Sequence, residues 1–383
     1  MRKGFLRFAA AAGVGALAAV GPLAAQFAPA TLPPSGGNQR ATVIQGIGLV
    51  RVSLDYSSPH VHSAAGVDRR GKIWGELVPY GLHNEAFGTC HDKCPWRGGA
   101  NENTVFTTSH DVKVQGAPLA VGSYGVHFIP DREEWTIIFS KTTGDWGSFF
   151  YDAKDDALRV KAKPAKGDYH EDLTYWFRDQ HADRATAVLS WEDLDVPFTI
   201  TAENVNDLHA AAINKELRNT AGFGWQGWDT AAQWALQNKT HLDDGLRWAE
   251  TAAGPNGQVN FTTLSTLSDL QGANGRTEEA KKTRDRALHD PSAGPIDLHL
   301  YGRQLLAQKH AAEALEVFQL NAKLHPDVWP VHVGLGRGYY AAGDRQKALA
   351  EFRLAVPQAP DDQNRTSLKG IVKNLEEGKD IAN

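Results

Sequence analysis

A 34-residue spacing near the C-terminus constrains the fold of this chain more than any other feature of its sequence. Residues of one type recur at this period four times, as Gly302 and Gly336, Ala314 and Ala348, Phe318 and Phe352, and Pro326 and Pro360. A glycine or alanine lets two helices approach closely, a phenylalanine fills the space between them, and a proline ends the second helix. The period therefore predicts repeated helical hairpins.

The residue types at these positions resemble the consensus of the tetratricopeptide repeat (TPR), a two-helix unit of 34 residues. The matching residues are Leu335, Gly336, Tyr339, Gly343, Ala348, Phe352, Ala355 and Pro360. The clearest repeats span 295–328 and 329–362, within a region over 203–383 that we predict to be TPR-like. Because such arrays present a concave surface to peptides or partner domains, we expect a protein or peptide partner. The alternative is an array that only packs against the rest of the chain.

In residues 41–201, apolar residues recur at every second position or in short runs, and not at the spacing of a helix. Val50, Val52, Leu54 and Tyr56 alternate with polar residues, which is the spacing of a half-buried strand. Further short apolar runs lie at 112–114, 124–128, 135–139, 158–160, 173–177, 187–189 and 198–200. Many short strands without a long helix between them predict an antiparallel β-sandwich or barrel-like domain. The chain as a whole is thus predicted to be α+β in two parts.

The N-terminus has the layout of a targeting segment. Arg2, Lys3 and Arg7 precede an apolar stretch over 8–20, and small residues then offer a cleavage site. This arrangement predicts a secretory signal peptide over 1–25, and hence export to the periplasm or the extracellular space. An uncleaved membrane anchor is the alternative.

Composition and motifs in the rest of the chain indicate a linker and argue against several classes of protein. Residues 26–40 are rich in Ala, Pro and Gly and predict a flexible tether. No later stretch reaches the ~18 apolar residues that a transmembrane helix needs. The formal net charge of −5 argues against a nucleic-acid partner, which would favour a basic surplus. No P-loop, dinucleotide fingerprint or serine nucleophile elbow occurs, so no motif names a reaction.

The most distinctive run of the β region is Trp96-Arg97-Gly98-Gly99-Ala100-Asn101-Glu102-Asn103-Thr104. It is accompanied by Leu54-Asp55-Tyr56-Ser57-Ser58-Pro59, Arg70-Gly71-Lys72-Ile73-Trp74-Gly75 and Trp135-Thr136-Ile137-Ile138-Phe139. With these motifs, residues 45–200 resemble DUF2911, a family of exported bacterial proteins of unknown function. The resemblance implies export and a β-rich fold, and it supplies no activity. The segment 82–95 departs from the family pattern, because it separates motifs that are almost adjacent in many members.

Both cysteines of the chain, Cys90 and Cys94, lie in that departing segment. Export would expose them to oxidising conditions, so we predict a local disulfide, which would stiffen the loop and contribute little to global stability. Free thiols and a metal site shared with His91 are the alternatives.

A dense polar cluster lies in the glycine-rich run. Arg97, Asn101, Glu102 and Thr104, together with Tyr124, are predicted to bind a ligand. A guanidinium fork with amide and carboxylate neighbours suits a carboxylate or a sugar. The alternative is a buried network that only holds the loop against the sheet.

Three histidines are candidates for a metal site. His60, His62 and His127, with Glu102, offer ligand types that suit zinc or copper, although their separations show no familiar ligand spacing. The alternative is that each is an ordinary core or surface residue, and no cofactor is then required.

Three hypotheses for function follow. The leading one is a non-enzymatic binding or assembly protein of the cell envelope, in which the β domain holds a small ligand or glycan and the repeats dock a partner. The second is a metal-dependent, hydrolase-like enzyme that uses the histidines and Glu102. The third is a structural scaffold without a ligand.

Overall fold

The computed structural model describes residues 37–63 and 65–381. The predicted signal peptide and most of the predicted tether therefore lie outside the described residues. The chain divides into two compact units, residues 1–203 and 204–383, which are described separately.

The first unit contains ten strands in its described part. Their bounds are β1 Gln39–Ile47, β2 Val50–Ser58, β3 Thr104–Thr108, β4 Val112–Val114, β5 Ala117–Leu119, β6 Gly122–Ile129, β7 Trp135–Ser140, β8 Asp156–Ala162, β9 Ala165–Arg178 and β10 Arg184–Thr201. Six of them form an antiparallel sheet in the order β1-β2-β3-β6-β7-β8, and the other four form a second sheet in the order β5-β4-β10-β9.

The two sheets pack face to face through aromatic side chains. Tyr56 of β2 meets Tyr175 of β9 with ring centroids 4.8 Å apart. Phe139 of β7 meets Phe198 of β10 with centroids 6.3 Å apart. The predicted α+β fold with an antiparallel sandwich is thus confirmed, whereas the barrel-like alternative is not, because the described strands form two separate sheets.

Several strands follow the predicted apolar runs. The run at 158–160 lies in β8, which is an edge strand of the six-stranded sheet. The runs at 187–189 and 198–200 belong to one long strand, β10. Strand β1 begins at Gln39, so the last two residues of the predicted tether belong to the sheet.

The second unit contains ten α-helices in its described part. Their bounds are α1 Val205–Glu216, α2 Trp225–Asn238, α3 Leu242–Ala252, α4 Phe261–Ala273, α5 Thr277–Leu288, α6 Pro295–Ala307, α7 Ala311–Leu324, α8 Trp329–Ala341, α9 Arg345–Gln358 and α10 Asp362–Glu376. Helices α6 and α7 lie within the predicted repeat 295–328, and α8 and α9 lie within 329–362.

The repeated residues make the contacts that the period predicted. A Cβ on Gly302 would lie 2.4 Å from the Phe318 ring, and one on Gly336 would lie 2.9 Å from the Phe352 ring. Both phenylalanines are fully buried. Each hairpin therefore closes by an aromatic ring that packs directly on a glycine of the partner helix.

Of the helices that the structure describes, none combines the length and the apolar character that crossing a membrane requires.

Candidate functional site

A cavity of about 390 Å³ opens in the β unit beside the loop that carries the run 96–104. Trp96 and Trp191 form part of its wall, with their ring planes inclined by only 12°. The polar side chains of Arg97, Asn101 and Glu85 also line it. Polar or charged residues make up half of the lining, so the cavity is more polar than the usual small-molecule site, which is mainly apolar with a few polar groups.

Glycines let the loop 96–104 lie directly on the sandwich. Gly98 has a φ of +64°, and a Cβ there would lie 2.6 Å from the Phe128 ring. The carbonyl oxygen of Gly98 accepts hydrogen bonds from Tyr175 Oη at 2.7 Å and from Thr104 Oγ1 at 3.1 Å. Thr104 therefore holds the loop in place and does not line the cavity.

Arg97 is one of two arginines that line the cavity. Its side chain is only 16% exposed, and Nη1 donates a hydrogen bond of 2.9 Å to the backbone oxygen of Asn101. The guanidinium lies over the Phe149 ring at 4.9 Å, and the closest carboxylate, that of Glu85, is 4.0 Å away. Burial lowers the pKa of Arg97, because the charged form loses hydration.

The segment 82–95 supplies two further lining residues, His83 and Glu85. Nε2 of His83 lies 3.1 Å from Glu85 Oε1, while Nδ1 is buried without a hydrogen-bond partner in the described structure. The backbone of His83 pairs with that of Cys94 through two hydrogen bonds of 3.1 Å. Cys94 in turn forms a disulfide with Cys90, so the disulfide loop is hydrogen-bonded directly to His83.

His60 also lines the cavity. Its Nδ1 is hydrogen-bonded to the carboxylate of Asp172, which raises the pKa of His60. Its Nε2 lies 3.3 Å from the carbonyl oxygen of Gly37. The imidazole is therefore oriented by a carboxylate on one side, at the edge of the site.

Two further predicted ligand residues, Glu102 and Tyr124, also lie outside the cavity lining. Each of them has hydrogen-bonding partners elsewhere. Glu102 is half exposed and lies 3.4 Å from Arg40 and 3.3 Å from Ser57 Oγ. Tyr124 donates a hydrogen bond of 2.9 Å to the backbone oxygen of Ala120, and burial raises its pKa. Of the five predicted ligand residues, the structure brings Arg97 and Asn101 to the cavity.

The three predicted metal-binding histidines are not brought together. His60 is bonded to Asp172, whereas Nδ1 of His62 lies 2.9 Å from Glu171 at the surface. His127 is buried, with Nδ1 2.8 Å from Ser148 Oγ, and burial and the charge of Arg97 lower its pKa to about 3. Within residues 37–63 and 65–381, no group of three or more His, Cys, Asp or Glu side chains is placed to hold a metal ion.

Sequence reasoning missed His83, Glu85 and Trp191. The first two belong to a segment that departs from the family pattern, and no periodicity marks them. Trp191 follows Ser190 in β10 and approaches Trp96 only through the packing of the two sheets. His83 and Glu85 belong to no local motif, and Trp191, although its pair Trp191-Glu192 is part of the family resemblance, was not assigned to the site.

A second cavity, of about 420 Å³, lies in the helical unit and is lined by residues of α2, α4 and α6. Leu300, which is 54% exposed, lies there beside Phe261 and Tyr301. Asp269 and Asp297 also line it, and burial raises the pKa of Asp269. No lysine or arginine lines this groove in the described structure, so its polar character is acidic.

Residues 38–200 match the family model of DUF2911, whose description is a protein of unknown function. The match covers the described β unit almost completely, so the resemblance inferred from the sequence motifs is confirmed. A comparison with curated proteins returned no match.

The helical unit is similar to solved TPR structures. YrrB, described as a TPR protein with an unusual peptide-binding site, is 19% identical, with 43% of this chain and 85% of YrrB covered and a TM-score of 0.28. A thermophilic TPR protein in Thermus thermophilus is 17% identical, with 45% and 90% covered and a TM-score of 0.30. MamA from Desulfovibrio magneticus is 17% identical, with 41% and 97% covered and a TM-score of 0.26.

Proposed function

We propose that this chain is an exported binding or assembly protein of the cell envelope. Its β unit would hold a small polar ligand or a glycan, and its helical repeats would dock a protein or peptide partner. The observation that carries the proposal is the cavity where Arg97 and Asn101 meet the Trp96 and Trp191 wall. Its volume of about 390 Å³ falls within the ~300–1,000 Å³ typical of small-molecule sites.

The chemistry of the lining favours a sugar-like ligand. Leu77, Pro79 and Trp96 give the cavity apolar surface, which can contact the C–H groups of a sugar ring. The amide of Asn101 can both donate and accept a hydrogen bond, and the carboxylate of Glu85 accepts one. Hydroxyl groups, which do both, match such a mixture of donors and acceptors.

The test for the β unit is ligand screening by thermal shift and calorimetry on the mature chain, with the variant Asn101→Gly. Asn101 has a φ of +58°, so glycine removes the side chain while suiting the backbone. We expect at least a tenfold loss of affinity for the best ligand of the screen. Asp179→Gly, at an exposed site outside the cavity with a φ of +51°, is the control with a similar backbone conformation and keeps full affinity. A screen of mono- and oligosaccharides without any binder would contradict the proposal.

The groove between α2, α4 and α6 supports the docking role of the repeats. The test is affinity capture from envelope extract with the variant Leu300→Asp, which adds charge to the exposed apolar part of the groove. Leu354→Asp, on α9 and similarly exposed at 51%, is the control outside the groove. We expect Leu300→Asp alone to lose the captured partner. Equal capture by both variants and the unchanged chain would contradict docking in this groove.

A binding role without a metal ion is part of the proposal, because His60, His62 and His127 each have a separate partner. Metal analysis of the purified mature protein by mass spectrometry checks it. Stoichiometric zinc or copper that is lost in a His127→Ala variant would contradict this role and favour the metal-dependent enzyme.

A further inference from the structure

The charged groups that line the β cavity are unequal in number. Arg97 and Arg69 contribute two guanidinium groups, whereas Glu85 is the one carboxylate among the lining residues of the described structure. That carboxylate already accepts a contact from His83 Nε2 at 3.1 Å. Arg69 forms no ion pair with any residue that the structure describes. The lining residues other than histidine therefore carry a net positive charge, while the Asp172 carboxylate is bonded to the lining His60.

Arg97 keeps most of its hydrogen-bonding capacity free. A guanidinium carries five N–H donors, and Arg97 uses one of them on the Asn101 carbonyl oxygen. The Glu85 carboxylate, at 4.0 Å, is beyond hydrogen-bond distance. Glu85 is thus an ion-pair partner that makes no hydrogen bond to Arg97, and an anion that hydrogen-bonds to the guanidinium would satisfy donors that Glu85 leaves free. The remaining donors thus favour an anionic group in the cavity.

The surroundings of Arg97 hold its plane in one orientation. A Cβ on Gly147 would lie 2.2 Å from Arg97 Cζ, so the absence of a side chain at Gly147 makes room for the guanidinium. The Phe149 ring supports the guanidinium at 4.9 Å. A fixed planar fork favours a planar, bidentate acceptor, and a carboxylate has that geometry.

Glu85 restricts the charge of that acceptor. Its carboxylate lies near the same guanidinium and would repel a second negative charge placed beside it. A monoanionic carboxylate is therefore favoured over a phosphate dianion.

We propose that the ligand of this cavity is an acidic saccharide, a sugar ring that carries a carboxylate. The carboxylate pairs with Arg97, the ring lies against the apolar lining formed by Leu77, Pro79 and Trp96, and the ring hydroxyls contact Asn101 and Glu85. This inference rests on the proposed ligand-binding role of the β unit and adds the chemical class of the ligand.

The test is calorimetric titration of the mature protein with matched pairs of saccharides. Glucuronate, galacturonate and mannuronate, and their short oligomers, are each compared with the neutral sugar, which differs only by a CH₂OH in place of the carboxylate. Cyclohexanecarboxylate is added as a carboxylate without hydroxyl groups. We expect at least one acidic saccharide to bind tenfold or more tightly than both its neutral counterpart and cyclohexanecarboxylate, with a preference that decreases as salt increases.

Variants test the assignment to Arg97. Arg97→Gln should abolish the preference for the acidic member of the pair, and Arg97→Lys, which keeps the charge and loses the fork, should retain part of it. Arg69→Gln should reduce the preference without touching the packed position of Arg97. Arg132→Gln removes an exposed arginine that lies over Tyr80 outside the cavity, and it should change nothing. Circular dichroism of each variant confirms that it is folded.

The possible outcomes separate the inference from the proposal on which it rests. Equal affinity for the neutral and the acidic saccharide of a pair would overturn the inference that the ligand carries a carboxylate, and it would leave a glycan-binding role. Equal affinity for cyclohexanecarboxylate would overturn the saccharide part and leave a carboxylate site. No binding of any member would overturn both the inference and the proposed function of the β unit.

Discussion

The position of the Arg97 guanidinium depends on a glycine, Gly147. Gly147 has a φ of +67°, and the Arg97 guanidinium occupies the space where its Cβ would be. A glycine at this position thus meets two requirements, a left-handed backbone and room for a neighbouring cation. These two requirements can be separated by comparison with a glycine that meets only one of them. Gly116 is such a residue, because its φ is positive but no atom lies within 4 Å of its Cβ position.

We predict that Gly147→Ala destabilises the protein more than Gly116→Ala does. Gly116 has a φ of +82° but open space around its Cβ, so alanine there costs only the ~1–2 kcal/mol of the left-handed conformation. At Gly147 the clash with Arg97 adds to this cost. Urea unfolding measures both values, and equal losses of stability would show that the Arg97 contact is not required. Ligand affinity should fall in the Gly147 variant alone.

His241 is a residue-level source of pH dependence in the helical unit. Burial lowers its pKa, but hydrogen bonds to Asp244 at 3.1 Å and Asp207 at 2.8 Å outweigh burial and raise it above 6.5. A raised folded-state pKa means that the protonated form contributes to stability. This contribution is complete below the unfolded pKa of about 6.5 and is lost as the pH rises through the folded pKa.

We therefore predict that His241→Asn destabilises the protein by about 0.5–1 kcal/mol at pH values below 6.5 and by less at alkaline pH. Asparagine tolerates the φ of +49° at this position. His289→Asn is the control, because His289 is more than half exposed beside Asp285. Chemical unfolding at acidic and alkaline pH measures the difference. A pH-independent loss in the His241 variant would show that its charge contributes nothing.

At the scale of elements, glycines within helices differ sharply in their surroundings. Gly302 of α6 lies against the Phe318 ring, whereas nothing lies within 4 Å of the Cβ position of Gly370 in α10. Alanine favours a helix by about 1 kcal/mol over glycine when no contact opposes it. The same substitution is thus expected to have opposite signs at the two positions.

We predict that Gly370→Ala stabilises the protein by about 0.5–1 kcal/mol. Gly302→Ala should destabilise it by about 1–3 kcal/mol, because the added methyl group overpacks the hairpin contact. Thermal or urea unfolding of both variants measures these changes. Stabilisation by Gly302→Ala would show that Phe318 moves aside easily, and the close contact would then not explain the 34-residue repeat.

The disulfide loop shows how an element outside the predicted motif contributes to the site. Cys90 and Cys94 are buried against Ile138 and Tyr151, and Cys94 pairs with the backbone of His83. Closing so short a loop restricts the unfolded chain little, so its main effect is local. The segment 82–95 is thereby held on the β unit with His83 and Glu85 at the cavity.

At the scale of the whole molecule, each compact unit has its own core. The β unit buries Trp135, Trp191 and Phe198, and the helical unit buries Phe318 and Phe352. Units with separate cores are expected to fold on their own. The boundary falls at residues 203 and 204, close to the change from period-two to helical spacing in the sequence.

We predict that residues 37–203 and 204–383, produced separately, each unfold cooperatively. Circular dichroism should show β structure in the first fragment and helix in the second, each with a sigmoidal thermal transition. Phe198→Ala and Phe352→Ala, each expected to cost about 3–5 kcal/mol, should lower the transition of their own fragment. A fragment without a cooperative transition would contradict this prediction for that unit.

Much of the architecture was predictable because it depends on local spacing. The 34-residue period identified α6 to α9, alternation identified β2, β4 and β6, and a continuous apolar run identified β7. Strand β1 was not predicted, since it is an edge strand whose side chains are mostly exposed or half exposed and show little apolar contrast. Within the site, Arg97 and Asn101 were found because they belong to one distinctive run of sequence.

By itself, the sequence determined the two-part organisation, the TPR-like repeats and the position of the loop that carries Arg97. These properties follow from residue types at short, regular separations, which govern secondary structure and local packing. Only the tertiary structure decided which side chains share the cavity. Trp191, His60 and Glu85 are far apart in the chain, and the packing of two sheets and a disulfide loop brings them to Arg97. The same packing gave His127 and Glu102 partners elsewhere, because contacts between distant segments leave no periodic signal in the sequence.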